Sequence, residues 1–450
     1  MQDDVQQDTT PSEQDFQALE GIWRSRGYGK LLLIRTEAYI LHEETAVSCL
    51  PVDRGELQAL TERYHDLSIS PGGQAFSVRR ATGVTRVSFY RLSQLPDTIS
   101  ETELRDPDDP EYNFEVFWHT FAENYALFDT KKVNWERAYW QYRRTVSGGT
   151  QPEELFSIMT AMLRPLRDGH VRLNAHWSHY SAEAQPAFYT RLEKELEEAG
   201  DDRDVPSYLA ELREWLHDVI HEDYLGGRVR HGAHHLVEWG QLGDNTGFLN
   251  LRAMAGQSGH IGCPAEDLDA TDAIMQTVLG ELGHLPNLVV DIRGNGGGYD
   301  GVALRFAAYL TDRKRMAFSK AARHCNGYTG RQPVYVTPAP TGTYSGNIYL
   351  LTSELTASAA EILVLALLQH PRVTRIGEPT QGILSDTLER HLPNGWHLTL
   401  SNEIYRAFDE TLYEDVGIPP HISMDFLYSR GRDLGQDPML DRVLDITANG

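Results

Sequence analysis

The sequence predicts an α/β protein in which a core of largely parallel sheet is flanked by helices and preceded by a small β domain and a helical domain. Three observations predict it. From Gly240 onward short apolar strands alternate with helical segments (FLNLRAM, AEDLDATDAIMQTVLGELG, NLVVDIR, GVALRFAAYL, NIYLLTS, ASAAEILVLALLQ), and such alternation specifies mostly parallel pairing. Residues 16–95 instead favour strands, with Gly-Tyr-Gly and charged turns between short apolar runs. Between these stretches Phe114, Phe117, Phe121, Tyr125 and Phe128 recur every three or four positions, the period of one buried helical face.

The elements follow in order. Residues 1–14 are polar and acidic and read as a flexible tail, followed by the small β domain over 15–98. The acidic linker TELRDPDDPEY opens a helical domain over 99–183. Its second amphipathic helix carries Leu155, Met159, Met162 and Leu166 and runs out at Arg-Asp-Gly-His, where Gly169 is expected to supply the stop. His170 therefore falls just beyond a helix end. Residues 184–238 read as a polar helical insertion broken at Gly200 and Pro206, residues 239–430 as the α/β core, and residues 431–450 as a C-terminal segment.

Composition narrows the function classes. With 450 residues, 40% of them apolar, the chain can bury more than one core. A formal charge of −24 opposes contact with nucleic acid or an anionic membrane, because both are polyanions. Cys49, Cys263 and Cys325 are odd in number and far apart, which fits ordinary thiols rather than a disulfide framework or a metal pair. No apolar run approaches the ~18 residues of a membrane span, and the polar start is no export signal.

Chemistry concentrates in residues 287–421. Ser358 sits where the expected strand NIYLLTS meets the expected helix ASAAEILVLALLQ, and two readings fit. Thr356 and Ser358 can simply cap the helix. Alternatively Ser358 is a nucleophile beside the free amides of a helix start, which stabilise an oxyanion. The stretch NLVVDIRGNGGGYDG is a second strand running into a glycine loop, where the backbone can approach a ligand closely. Its Gly296, Gly298 and Gly301 spacing also meets a dinucleotide fingerprint, but TDRKRMAFSKAARH offers no acidic residue where the ribose would need one. The other use is an oxyanion hole formed by an amide of Gly296 or Gly297 with that of Ala359.

These residues resemble the tail-specific (C-terminal processing) and tricorn serine peptidases. VVDIRGNGGG is similar to that family's strand ending in Asp-(Leu/Val/Ile)-Arg-x-Asn-(Pro/Gly)-Gly-Gly, and TASAAEI to its nucleophile turn. Farther along, RIGEPTQGILSD, LPNGWHLTLS and YEDVGIPPHI match its later segments in order, and LRPLRDGHVRL resembles the helical segment ending in Asp-Gly-His. The resemblance implies a ClpP/crotonase-like core and Ser358 as nucleophile. In the tail-specific branch a lysine serves as base, but Ile383 occupies its place and no lysine follows Lys320. The tricorn branch uses histidine with a carboxylate, which implies His170 as base and Glu414 as its partner, with Glu410, Glu403 and Asp386 as rival acids. A neutral imidazole can take a serine proton near pH 7 while a carboxylate steadies the imidazolium.

The function so implied is a serine endopeptidase acting on peptides or unfolded proteins, with no metal or organic cofactor, no nucleic-acid partner and no membrane insertion. Families of this kind often act outside the cytoplasm, and the polar opening fits the start of a mature chain whose export signal has been removed. The alternative is a non-catalytic binding module for a small molecule or peptide on the same fold. No PDZ-like segment follows His170, so specificity falls to the β domain, the insertion or the cleft. Asp168 reads as a structural cap or a partner of Arg167, and His421 as a surface residue. His217 and His221 lie one helical turn apart and HGAHH brings His231, His234 and His235 close behind, but no HExxH pattern or nearby Cys completes a recognisable metal site. The expectation there is a solvent-facing polar loop.

Overall fold

A computed structural model describes residues 10–80, 83–427 and 429–448. The first nine residues of the expected tail, and residues 449–450 of the C-terminal segment, lie outside the described residues. The fold is mixed α/β with several sheets and helices, and the chain divides into two compact units.

The first unit comprises Met1–Ala184, Lys320–Gln332 and Ser385–Tyr405. Its N-terminal part is a seven-stranded antiparallel sheet in the order Ser48–Glu56, Ala38–Thr45, Lys30–Ile34, Gly21–Ser25, Arg86–Leu92, Ala75–Arg80, Tyr64–Ile69. Trp23, Leu32, Ile34, Phe76, Val78 and Phe89 form the core on its inner face, where Trp23 meets Phe76 edge-on at 4.8 Å. The helix Pro110–Asn124 begins with Asp109 as N-cap and Pro110 at its first position. It buries Phe114, Phe117 and Phe121 completely, and Tyr125 follows at its end in the same apolar cluster as helix Pro152–Leu163.

That second helix tightens into a 3₁₀ turn, Arg164–Leu166, and its left-handed stop is Arg167 at φ 49°, not Gly169. Asp168 then takes the His170 amide at 2.9 Å, a local side-chain turn that redirects the chain into strand Arg172–Ala175. This strand pairs with Ser178–Ser181 on one side and His397–Ser401 on the other, and Thr387–His391 completes a four-stranded sheet.

The second unit comprises Gln185–Ser319, Pro333–Leu384 and Arg406–Gly450. Its seven-stranded sheet runs Arg230–Gly232, Val237–Leu242, Thr246–Leu251, Asn287–Asp291, Asn347–Thr352, Val373–Gly377, Ile422–Ser423. The first two pairings are antiparallel and the remaining four parallel. Strand Asn287–Asp291 is buried throughout, which is why NLVVD is nearly continuous in apolar residues rather than alternating. Helices Pro264–Leu282, Asp300–Leu310 and Ala359–Leu367 supply the crossovers. Helices Ala187–Ala199 and Val205–Asp218 are joined through Gly200 in the left-handed region, and Asp204 caps the second. Among the described residues no helix is long and apolar enough to cross a membrane.

Candidate active site

Strand Asn347–Thr352 delivers the chain to Ser358, which stands immediately before helix Ala359–Leu367 with φ 52° and ψ −124°. An ordinary N-cap residue adopts extended angles at negative φ. A non-glycine residue at this conformation costs about 1–3 kcal/mol and persists only where the surroundings impose it. Ser358 and Glu361 form a capping box at this helix start, and what sets the turn apart from an ordinary cap is its backbone conformation. The amide of Ala359, the first of the helix, makes no hydrogen bond among the described residues.

The glycine loop packs against this turn. A Cβ added to Gly297 would lie 2.7 Å from the Ser358 Cβ and 2.9 Å from the Ala359 nitrogen, so only glycine fits there. Asn295 holds the loop: Oδ1 takes the Gly297 amide at 2.9 Å, Nδ2 donates to the Leu251 carbonyl, and the Asn295 carbonyl accepts from the Ala357 amide at 3.0 Å. The Gly297 amide is thus engaged, whereas that of Gly296 has no partner among the described residues. Below the loop Arg293 is buried between Asp291 at 2.6 Å and Asp437 at 2.7 Å, anchoring the strand end to the start of helix Pro438–Ala448.

A residue absent from the sequence reading organises the site. Glu361 is wholly buried and accepts four hydrogen bonds: from Thr380 Oγ1 at 2.6 Å and the Gly382 amide at 2.8 Å on Oε1, and from the Ile383 amide at 2.9 Å and the Ser358 amide at 3.1 Å on Oε2. Burial pushes its carboxyl up to about 7, against these donors, which favour the ionised form. The available signal was Ser-Ala-Ala-Glu, the spacing of a capping box.

The loop that Glu361 holds meets the segment carrying Glu414. Leu384 donates its amide to Glu414 Oε2 at 3.1 Å, Asp415 donates to the Gly382 carbonyl at 2.8 Å, and Ile418 donates to Thr380 Oγ1 at 2.8 Å. Gly382 and Gly417 both have positive φ, 82° and 74°, and a Cβ on Gly417 would sit 1.9 Å from the Thr380 carbonyl oxygen. The Thr-x-Gly and Glu-x-x-Gly motifs therefore interlock through backbone contact that side chains would forbid. Glu414 is 3% exposed, and Ile383 stands where a lysine base would be required.

His170 lies in the other unit, 8% exposed. Its carbonyl accepts from Thr399 Oγ1 at 2.7 Å. Burial depresses its pKa below 6.5, opposed by the negative charges of Asp168 and Asp386. Asp168 is committed elsewhere, its Oδ1 to the His170 amide and its Oδ2 to the Tyr125 hydroxyl at 2.9 Å. The rival acids differ in surroundings. Glu403 is buried against Lys320 at 3.1 Å and takes the Tyr28 hydroxyl, while Asp386 and Glu410 are exposed. Lys320, wholly buried, is bound to Glu403, Tyr405 and Thr85. His421 is exposed, and its Nδ1 accepts the Arg375 amide at the sheet edge.

Residues 245–424 match peptidase family S41, and residues 106–164 match the tricorn protease C1 domain. Among solved structures, a candidate peptidase from Parabacteroides merdae ATCC 43184 is similar over 75% of this chain and 96% of its own, with 21% identity and a TM-score of 0.61. Mature CPAF complexed with lactacystin is similar over 76% of this chain and 98% of its own, with 12% identity and a TM-score of 0.51. At these identities the structural likeness speaks for the fold, and the domain matches carry the assignment. Residues 245–424 thus carry a peptidase family S41 domain and residues 106–164 a tricorn C1 domain, and the chain is a serine-type peptidase.

Proposed function

We propose that the protein is a serine endopeptidase working through an acyl-enzyme on Ser358, with His170 as general base and Glu414 as the acid that orients it. The observation that carries the proposal is the Ser358 turn: a strained serine at a helix start, with Gly297 packed against it and the Ala359 amide open. The Ser358 hydroxyl adds to the scissile carbonyl carbon and its proton passes to His170. The carbonyl oxygen, now negative, is held by the Ala359 amide and by that of Gly296, since the Gly297 amide is bound to Asn295. Collapse breaks the C–N bond, and the leaving amine takes the proton from His170. Water, deprotonated by His170, then adds to the acyl carbon; the C–O bond to Ser358 breaks, the acyl group leaves as a carboxylic acid, and His170 returns the proton to the Ser358 oxygen.

A depressed histidine pKa supports the base role, because a neutral imidazole is needed near pH 7. The committed oxygens of Asp168 and the Lys320 pairing of Glu403 favour Glu414 among the acids. In this reading residues 239–430, apart from Lys320–Gln332 and Ser385–Tyr405, which pack within the first unit, form a ClpP/crotonase-like core, residues 99–183 contribute the base, and residues 15–98 and 184–238 bear on substrate choice.

The test is hydrolysis of an unfolded protein and of a peptide mixture by the native chain, Ser358→Ala and His170→Ala. Loss of roughly 10⁴-fold or more in each variant is expected. Undiminished cleavage in either variant would overturn the assignment of that residue, and a native chain that binds peptide without cutting it would favour the binding module.

A further inference from the structure

The second unit gathers the histidines that the sequence leaves scattered. His217 closes helix Val205–Asp218, and His221 lies in the π-helical turn Val219–Tyr224 that continues it. Wide turns of this kind recur where side chains are set for function. The two rings lie 3.7 Å apart between centroids. Both face Glu238 of strand Val237–Leu242, a carboxylate only 2% exposed. His221 Nε2 is 3.4 Å from Glu238 Oε2, His217 Nε2 is 3.9 Å from Oε1, and His231 Nδ1 is 3.5 Å from Oε1.

We infer that His217, His221 and Glu238 form a binding site for a divalent transition metal of the zinc class. One ligand atom from each of the three lies within 4.8 Å of the other two. A tetrahedral ion with bonds of about 2.0–2.2 Å separates its ligands by about 3.3–3.6 Å, so small side-chain rotations close the set. Two imidazoles and one carboxylate are the donor types that such an ion accepts with one position left open.

The supporting groups agree. Asp218 Oδ1 lies 3.3 Å from His217 Nδ1, which leaves Nε2 as the lone-pair nitrogen toward Glu238, and Asn250 Nδ2 donates to Glu238 Oε2 at 3.3 Å. Carboxylate and amide partners of this kind orient the ligands of metal sites. Beyond the ligands a cavity of about 530 Å³ opens toward Asp291, Arg293 and Phe426. The carboxylate that the HDVIH segment lacks in sequence is thus supplied by a strand reached through the HGAHH turn. The competing account is that Arg252, whose Nε is 3.6 Å from Glu238 Oε2, neutralises the acid and the histidines are bystanders.

The test uses the full chain stripped of metal and titrated with Zn²⁺ by calorimetry, with Co²⁺ absorption and thermal midpoint as parallel readouts. Native chain and His234→Ala are expected to take up one ion per chain, to show tetrahedral Co²⁺ bands and to melt at higher temperature with Zn²⁺. His217→Ala and His221→Ala should each bind at least tenfold more weakly. His217 is a third exposed, so its variant keeps the fold, as circular dichroism would verify. No saturable binding by the native chain would overturn the inference. So would binding undiminished in both variants, or binding lost in His234→Ala and kept in His217→Ala.

Discussion

Glu361 Oε2 accepts the Ser358 amide at 3.1 Å from a position wholly inside the fold. The same carboxylate carries Thr380, Gly382 and Ile383, so four donors depend on one side chain. Stripping a buried cluster of donors of its charged acceptor costs about 3–5 kcal/mol. Glu361→Ala should lower the unfolding free energy by that amount in urea and abolish peptidase activity, although Glu361 has no proposed contact with substrate. A variant as stable as the native chain would remove this positioning role.

Glu361 also gives stability a pH dependence. Its carboxyl is raised by burial from 4.5 to about 7. The folded chain then holds a proton that the unfolded chain releases, so this contribution is complete below about pH 4.5 and lost as pH rises through about 7. A shift of that size corresponds to ~3 kcal/mol. Thermal midpoints measured from pH 4.5 to 8 should carry this falling component, and Glu361→Gln, which has no proton to lose, should flatten it. An unchanged slope would assign the titration elsewhere.

The backbone at Ser358 predicts an unusual ranking of inactive variants. Alanine keeps the steric cost of φ 52°, whereas glycine sheds it. Relief of about 1–3 kcal/mol outweighs about 0.5–1 kcal/mol of extra chain entropy. Ser358→Gly should therefore melt above Ser358→Ala, with both inactive. The reverse order would show that the turn is not strained.

For His170 the expectation concerns the acid limb of kcat/KM. Burial favours the neutral ring, so the limb should have its midpoint below 6.5. Asp168→Asn removes a charge that favours the imidazolium and should move the limb lower still. A limb above 6.5 in the native enzyme would exclude His170 as the titrating base.

The motifs were legible because their physics is local. Asn295 and Gly297 are two residues apart and bond to each other, and the phenylalanine row needs only a helix and a core. The Arg167 stop was missed because the chain places a non-glycine residue in the left-handed region there, held by its flanking turn, and nothing in Arg-Asp-Gly-His says so. Glu361 was overlooked because three of its four donors lie 19 to 22 residues away and none is acidic or basic. The His217, His221 and Glu238 cluster escaped for the same reason: its carboxylate arrives only when a helix and a strand pack together. Distance along the chain, not weakness of the interaction, hid both.

The burial of Lys320 has a practical side for anyone handling the protein. It is the last lysine in the sequence, and its amine is enclosed and paired. Beyond it, the stretch bearing Ser358, Glu361 and Glu414 offers no primary amine to acylating dyes, biotin esters or amine-coupled sensor surfaces. Amine coupling will therefore fall on other parts of the chain, and none of it on the stretch that bears those residues.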